Sequence, residues 1–179
     1  MDGFTFRGTH SSVFGLGFQS TDRTLLPGVR ENTVIIPGRD GVYNLQNATF
    51  DRRQITIDCS FAEDAPEDIP ARCRRIAAWL SAEGELEFDD EPGVFYTARA
   101  VGGISLERIY RTGRFPLVFT CEPLAHSADR QQQGTFARSG AEIKIAVQGT
   151  ADAPCRIILR NTGTTTLSRI TLSRMRENA

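Results

Sequence analysis

Lysine, histidine and tryptophan are scarce in this chain of 179 residues. All but one of its 21 basic residues are arginine, there are two histidines, and Trp79 is the only tryptophan. His10 and His126 stand alone, without other residues at metal-ligand spacing, so the sequence predicts no metal site. It also lacks a GxSxG elbow, a complete phosphate-binding loop and a dinucleotide fingerprint, so it predicts no cofactor and no catalytic residue. We therefore expect a protein that is not an enzyme.

One segment near the N-terminus has the residue types of a nucleophile and its base. His10 is followed directly by Ser11 and Ser12. Because neighbouring residues on a strand point to opposite faces, we expect these side chains not to meet in a catalytic set.

Long apolar runs are also missing. No segment approaches the length of a membrane span, and Met1 to Phe4 lacks the basic and apolar regions of a secretory signal. We expect no membrane contact, and a protein that stays in the cytoplasm in which it is made. The four cysteines, Cys59, Cys73, Cys121 and Cys155, form no CxxC pair. We expect them to be small buried thiols in a reducing compartment.

The charge of the chain is nearly balanced but unevenly placed. Residues 1–129 hold 13 arginines against 19 acidic residues, whereas residues 130–179 hold 8 basic residues against 3 acidic ones. An acidic body with a basic tail suits head-to-tail contacts between identical subunits, and arginine suits interfaces because it pairs with carboxylates through two hydrogen bonds. Genome composition explains the preference for arginine equally well, so both explanations stay open. The acidic body opposes sequence-specific binding of nucleic acid.

The hydrophobic pattern predicts a mainly β protein. Residues Arg53 to Phe61 alternate strictly, with Ile55, Ile57 and Cys59 on one face, which is the period of a half-buried strand. Arg114 to Cys121 alternates in the same way. Shorter strands are expected at Phe4 to Phe6, Val13 to Phe18, Thr33 to Ile36, Glu85 to Phe88, Phe95 to Val101, Ile104 to Tyr110, Ile143 to Val147, Arg156 to Leu159 and Leu167 to Leu172.

One helix is expected between the strands. It begins near Asp68 or Ile69 with Pro70 in its first turn, where a missing N–H costs nothing, and Gly84 ends it. Its apolar stripe consists of Ile69, Cys73, Ile76, Ala77 and Leu80. Arg72 and Arg75 lie off this stripe, on a face that is either solvated or used for docking, and both are candidate interaction residues.

A compact turn separates two apolar runs at Ile36 to Gly41. Pro37 fixes φ, and Gly38 can adopt a positive φ without a Cβ clash. The pair Asp40-Gly41 is favoured in tight reversals, so the segment predicts the tip of a β-hairpin. Arg39 and Asp40 are candidate contacts between this tip and a neighbouring subunit.

These features follow one another in a characteristic order along the first two thirds of the chain. The order comprises Phe14-Gly15-Leu16, Ile36 to Gly41, Ile55-Thr56-Ile57, Ile76 to Leu80, Leu86 to Pro92, Phe95 to Ala98 and Phe115 to Pro123. Over residues 1–124 the sequence resembles the N-terminal domain of siphophage distal tail proteins. The resemblance implies an antiparallel β-sandwich with one packed α-helix, similar to tail-tube subunits. Beyond this domain, the polar composition predicts a linker or arm at 125–140. The three short strand candidates predict a short β segment at 141–179, which packs on the first domain, pairs with a neighbouring subunit or is a reduced C-terminal domain.

The resemblance also implies a structural role in a long non-contractile phage tail or a phage-derived tail device. The family implies a hexameric ring with a central channel for DNA passage, which joins the tail tube protein to the tip or baseplate hub, with the tape-measure protein as a further partner. The implied location is the tail tip of the virion, after assembly in the host cytoplasm.

Larger members of the family carry a galectin-like β-sandwich after this domain. Only about 55 residues follow it here, too few for the eight strands of a jelly roll, which argues against direct sugar binding. A second function stays open beside the ring subunit: a β-sandwich binding module that recognises a host-surface glycan or a receptor-binding protein.

Overall fold

The computed structural model describes residues 3–45, 49–61, 69–103, 109, 113–136, 138, 140–145 and 149–173. The chain divides into two compact units, Met1–Arg130 and Gln131–Ala179. The division falls within residues 125–140, where the composition predicts a linker. The separate role of each part stays a prediction.

Strands and two helical segments of more than one residue are described in the first unit. They are β1 (Phe4–Phe6), β2 (Thr9–His10), a 3-10 helix (Ser11–Phe14), β3 (Leu16–Arg23), β4 (Thr33–Val34), β5 (Tyr43–Asn44), β6 (Arg53–Phe61), α1 (Ile69–Trp79), β7 (Gly84–Phe88), β8 (Val94–Val101), β9 (Arg114–Cys121) and β10 (His126–Ser127). One antiparallel sheet runs in the order β2-β1-β7-β8-β9-β6-β3, and β10 pairs with β8 beside this path. The pair β4-β5 forms a separate sheet of two strands.

The two strands with strict alternation lie next to each other in the sheet. β6 pairs with β9 from Arg53 opposite Cys121 to Ser60 opposite Arg114. Their inward side chains are buried, as the period of two predicts. These side chains are Ile55, Ile57, Cys59, Phe115, Leu117, Phe119 and Cys121.

The sheet curls until distant strands face each other. Three strand spacings separate β1 from β9, which corresponds to about 14 Å in a flat sheet. The ring centroid of Phe119 nevertheless lies 6.1 Å from that of Phe4 and 5.2 Å from that of Phe6. The curled sheet therefore forms a half-barrel whose two facing sides enclose the core. The expected fold class, antiparallel β with one packed helix, is confirmed.

Helix α1 packs on this aromatic core through its last turn. The Trp79 ring stacks on Phe4 and Phe14 with centroids at 5.8 and 4.5 Å, and meets the edge of Phe6 at 5.9 Å. Its Nε1–H donates a 2.9 Å hydrogen bond to the carbonyl oxygen of Phe6. Ile76 beside it is buried as well. Trp79 thus joins the helix to β1 by both stacking and hydrogen bonding.

Three expectations for the helix are wrong. Arg72 was expected off the apolar stripe, yet it is only 8% exposed, because Gly15 has no side chain and leaves room for the guanidinium. Ala77, expected on the stripe, is exposed. Gly84 does not end the helix: α1 ends at Trp79, and Gly84 begins β7, where a Cβ would overlap the side chain of Arg7.

The strands predicted beyond Gly140 are not formed in the described residues. Residues 149–173 are irregular and exposed, which includes Arg156 to Leu159 and Leu167 to Leu172, and 143–145 are irregular as well. Short apolar segments need a sheet to pair with, and an isolated hairpin is marginal in water.

Of the segment Ile104 to Tyr110, only Ile109 is described, and it is helical and buried. The rest of that predicted strand lies outside the described residues.

The cysteines differ in burial. Cys59 and Cys121 are buried and free, as expected, whereas Cys155 lies exposed in the irregular segment and Cys73 is half-buried. Burial raises the pKa of the Cys59 thiol to about 12, with a further contribution from the charge of Asp58. Burial also raises the pKa of Cys121 to about 11, against the opposing charge of Arg53. The thiols of the core therefore stay protonated at neutral pH.

Trp79→Ala is expected to lower the free energy of unfolding by about 3 to 5 kcal/mol, because it opens a cavity among Phe4, Phe6 and Phe14. Trp79→Phe keeps much of the stacking but removes the donor to the Phe6 carbonyl, which costs about 1 to 2 kcal/mol. Urea unfolding followed by circular dichroism measures both. The exposed control Ala78→Ser is expected to stay within about 0.5 kcal/mol of wild type. A loss under about 1 kcal/mol for Trp79→Ala would contradict the packing of the helix.

Alkylation by iodoacetamide at pH 8 is expected to modify Cys155 and to spare Cys59 and Cys121, because the thiolate is the reactive form. Both core thiols have folded pKa values above their ordinary 9.0. Their contribution to stability is therefore complete below pH 9 and is lost as the pH rises toward 11 and 12. Peptide mass spectrometry measures the modification, with urea-unfolded protein as the control. Equal labelling of Cys59 and Cys155 in folded protein would contradict the expectation.

Candidate functional site

A long hairpin leaves the sheet between β3 and β6. We call residues 24–52 the hairpin arm; 24–45 and 49–52 are described. Its strands β4 and β5 pair through Thr33 opposite Asn44 and Val34 opposite Tyr43. Nearer the sheet, Val29 bridges to Phe50, and the N–H of Asp51 donates to the carbonyl of Gly28 at 2.7 Å. The hairpin that the turn at Ile36 to Gly41 predicts is therefore present.

The tip of the hairpin arm has the geometry that its sequence requires. Gly38 and Gly41 have φ values of 82° and 79°, in the region that favours glycine. The N–H of Arg39 donates to the carbonyl of Ile36 at 3.2 Å, which closes the turn. The guanidinium of Arg39 lies 5.6 Å from the ring centroid of Tyr43. Arg39 and Asp40 are both exposed at this tip.

The hairpin arm exposes large apolar side chains along its whole described length. Leu25 is 97% exposed, Ile35 76% and Leu26 65%. Seven further members of the set are Val29, Val34, Ile36, Val42, Tyr43, Leu45 and Phe50. Ten large exposed apolar side chains on one hairpin are typical of an interaction site in soluble proteins. The hairpin arm is therefore the candidate functional site of the first unit.

Charge on the hairpin arm is balanced. The segment contains three arginines and three acidic residues. They are Arg30, Arg39 and Arg52, and Glu31, Asp40 and Asp51. Arg30 and Asp51 approach to 3.9 Å, with both side chains more than half exposed. Exposed pairs of this kind contribute little to stability. Exposed apolar side chains, and not a net charge, are therefore the distinctive feature of the described surface of the arm.

The other two predicted interaction residues lie on α1. The guanidinium of Arg72 is 5.0 Å from the ring centroid of Phe61, inside the fold. That of Arg75 is 5.9 Å from the ring centroid of Phe14, on an exposed part of the helix. The four predicted residues therefore fall in two places, the tip of the hairpin arm and helix α1.

Sequence reasoning missed most of the exposed apolar set. The pattern predicts Ile35 and Ile36 as the end of a strand, and it indicates no role for Leu25 and Leu26. Their signal was a segment of about 29 residues between two sheet strands, far longer than an ordinary hairpin loop. Alternation in such a segment predicts a strand but does not tell whether its apolar side is covered.

His10 does meet a serine and an acid, contrary to expectation. Its Nδ1 lies 2.6 Å from the Ser12 hydroxyl, and its Nε2 lies 3.2 Å from a carboxylate oxygen of Asp89. Ser12 belongs to the 3-10 helix and not to a strand, so the rule of opposite faces does not apply. The Ser12 N–H also donates to Nδ1 at 3.2 Å, and the Gly3 N–H donates to Asp89 at 2.8 Å. The cluster caps the 3-10 helix and the start of β1.

The described part of the chain holds no group of three or more His, Cys, Asp or Glu arranged for a metal ion. None of the helices searched there is long and apolar enough to cross a membrane.

Residues 15–121 match the family model of the phage tail protein RIFT-related domain. The chain belongs to this family. The matched range includes the hairpin arm, α1 and the sheet from β3 to β9. No curated protein sequence matches the chain.

A solved structure has a similar fold. The crystal structure of the Dit (gp 19.1) protein of phage SPP1 matches with a TM-score of 0.57 and 17% identity, over 72% of this chain and 52% of that one. Its description is a paradigm of the hub adsorption apparatus in phages that infect Gram-positive bacteria. This chain thus spans about half the length of that relative. The resemblance to siphophage distal tail proteins is confirmed, and the chain is a structural phage-tail protein, hence a virion component.

Gly15→Ala is expected to destabilise the fold more than Gly113→Ala. The two glycines have nearly equal φ values, 61° and 62°, but only a Cβ at Gly15 would meet the guanidinium of Arg72. Backbone strain costs about 1 to 2 kcal/mol at either position. Displacing Arg72 from the Phe61 ring adds about 1 kcal/mol at Gly15 alone. Urea unfolding of the two variants measures the difference, and equal losses would mean that Arg72 does not depend on Gly15.

Proposed function

We propose that the protein is a ring-forming subunit at the distal end of a long non-contractile phage tail or a phage-derived tail device. Six copies form the ring, which joins the tail tube to the tip or baseplate and leaves a central channel for DNA passage. The observation that carries this proposal is the exposed apolar hairpin arm within a domain of a phage-tail family.

The hairpin arm needs a cover that its own strands do not provide. A two-stranded hairpin is marginal in water. Burying one exposed leucine or isoleucine yields about 1.5 to 3 kcal/mol, so a few anchors supply the energy of a specific interface. Leu25 and Ile35 are the most exposed of these side chains and the leading anchors. Contact between copies provides such a cover at a fixed ratio of one arm to one acceptor surface.

Ring closure follows when the arm contacts a different surface on its neighbour. A contact of this type is heterologous, and it produces a closed ring when the rotation between copies closes. The acidic excess of residues 1–129 and the basic excess of 130–179 favour the same head-to-tail arrangement. In this arrangement Arg39 and Asp40 contact the neighbour through the arm tip, and Arg75 does so from α1. Arg72 supports the helix from inside.

The partners follow from the place in the tail. The tail tube protein lies on one side of the ring, and the tip or baseplate hub lies on the other, with the tape-measure protein inside. The fold likeness to SPP1 Dit, which is described as a hub adsorption protein, supports this placement. The ring contacts no membrane and no specific nucleic-acid sequence. It assembles in the host cytoplasm and then resides at the tail tip of the virion.

Mass measurement with light scattering and negative-stain microscopy test the ring. We expect particles of six chains with an open pore. Ile35→Glu is expected to convert them to single chains, because it places a charge in the proposed apolar contact. The matched control Val13→Glu changes a side chain that is 61% exposed but lies outside the arm, and it is expected to leave the ring intact.

Two further conditions separate the contributions to the ring. Arg39→Ala is expected to weaken assembly; an unchanged ring would mean that the turn has only a structural role within the chain.

Salt of about 1 M shortens the screening length to about 3 Å and is expected to weaken the head-to-tail charge contact. Assembly that is indifferent to salt would remove this role of the charges. A stable monomer that binds a host glycan or a receptor-binding protein would overturn the ring in favour of the binding module.

A further inference from the structure

Both ends of the hairpin arm meet the sheet at an arginine. Arg23 is the last residue of β3, and Arg53 is the first residue of β6. The Arg23 guanidinium lies 4.5 Å from the ring centroid of Phe88, and that of Arg53 lies 5.4 Å from the ring centroid of Tyr96. The two rings meet edge to face at 6.5 Å. We call these four residues the arginine clamp.

The rings of the arginine clamp are fixed in the core. Phe88 and Tyr96 are 2% and 7% exposed, on β7 and β8. These strands lie at the far side of the sheet path from β3, with β9 and β6 between them. Because the sheet curls, the clamp connects the edge strand β3 to β7 across the open mouth of the half-barrel. Each guanidinium therefore rests on a surface that does not move with the hairpin arm.

Polar contacts complete the clamp on both sides. Arg23 pairs with Asp90 and lies 3.8 Å from Glu91, in the turn between β7 and β8. Arg53 donates from Nη1 to the carbonyl of Thr24, the first residue of the arm, at 3.4 Å. The Nε atom of Arg53 is buried, with no hydrogen-bond partner among the described residues. Stacking on Tyr96 is thus a principal contact of the Arg53 side chain.

We infer that the arginine clamp sets the direction in which the hairpin arm leaves the sheet. The sheet of β4 and β5 is separate from the main sheet, so the direction of the arm depends on its two roots. A planar guanidinium on an aromatic face restricts orientation, whereas a lysine ammonium is a point charge on a flexible stem. Arg23 and Arg53 are positioning residues of the arm. Their effect on ring assembly rests on the proposed function, but the direction of the arm does not.

Distance measurement by double electron–electron resonance tests the clamp in the 179-residue chain, at a dilution where it is monomeric. Spin labels are placed on the arm by Ile36→Cys and on β8 by Thr97→Cys, in a background carrying Cys73→Ser and Cys155→Ser. We expect a narrow distance distribution in this background. The double variant Arg23→Gln with Arg53→Gln is expected to at least double its width, with thermal unfolding still cooperative. Arg52→Gln, which removes one positive charge from the exposed neighbour of Arg53, is the control for the Arg53 substitution and is expected to leave the width unchanged.

Lysine variants separate positioning from charge. Arg53→Lys and Arg23→Lys keep the charge but lose the planar stack, and are expected to broaden the distribution nearly as much as glutamine. If the double glutamine variant does not fold, the lysine variants test by themselves whether the clamp sets the direction of the hairpin arm. An unchanged width in folded lysine and glutamine variants overturns the inference.

In the assembly assay, the double glutamine variant is expected to weaken association by about fivefold to thirtyfold, the factor that corresponds to two cation–π contacts. A narrow distribution in a chain that never forms rings would contradict the proposed function and leave the clamp standing.

Discussion

The contact between the phenyl rings of β1 and Phe119 of β9 is the constraint on which the structure depends. It holds only if the sheet curls, since β7 and β8 lie between these strands. Trp79 covers the same rings and thereby attaches the only described helix longer than one turn. The curl also brings β3 toward β7, where Arg23 meets Phe88. The position of the helix and the root of the hairpin arm are therefore consequences of one aromatic cluster.

Apolar residues have two different fates in the first unit. Ile55 and Ile57 are fully buried in the half-barrel, whereas Ile35 and Ile36 on the hairpin arm remain exposed. The residue type is the same, and the neighbours differ: β6 lies between two strands, and the arm has only its own partner strand. This division fits a protein whose body folds alone and whose arm completes its packing in an assembly, as we propose for the ring.

Arginine serves three purposes that lysine does not serve equally well. Arg72 is buried against Phe61, Arg23 and Arg53 stack on core rings at the root of the arm, and Arg39 lies over Tyr43 at its tip. Each contact uses a flat, weakly hydrated cation on an aromatic face. The near absence of lysine thus has a structural counterpart at these positions, whatever the composition of the genome contributes.

The sequence by itself determined the elements whose signal is local. Period-two alternation gave β6 and β9 with their buried faces, and the glycines of the turn gave the tip of the hairpin, because each pattern depends on backbone geometry within a few residues. Tertiary structure decided what those elements meet. It buried Arg72, since Gly15 leaves space from another part of the chain, and it joined His10 to Asp89, 79 residues away. It also left the hairpin arm uncovered and Cys155 exposed. Burial depends on packing against residues that are distant in the sequence, and the alternation along one strand does not specify those residues.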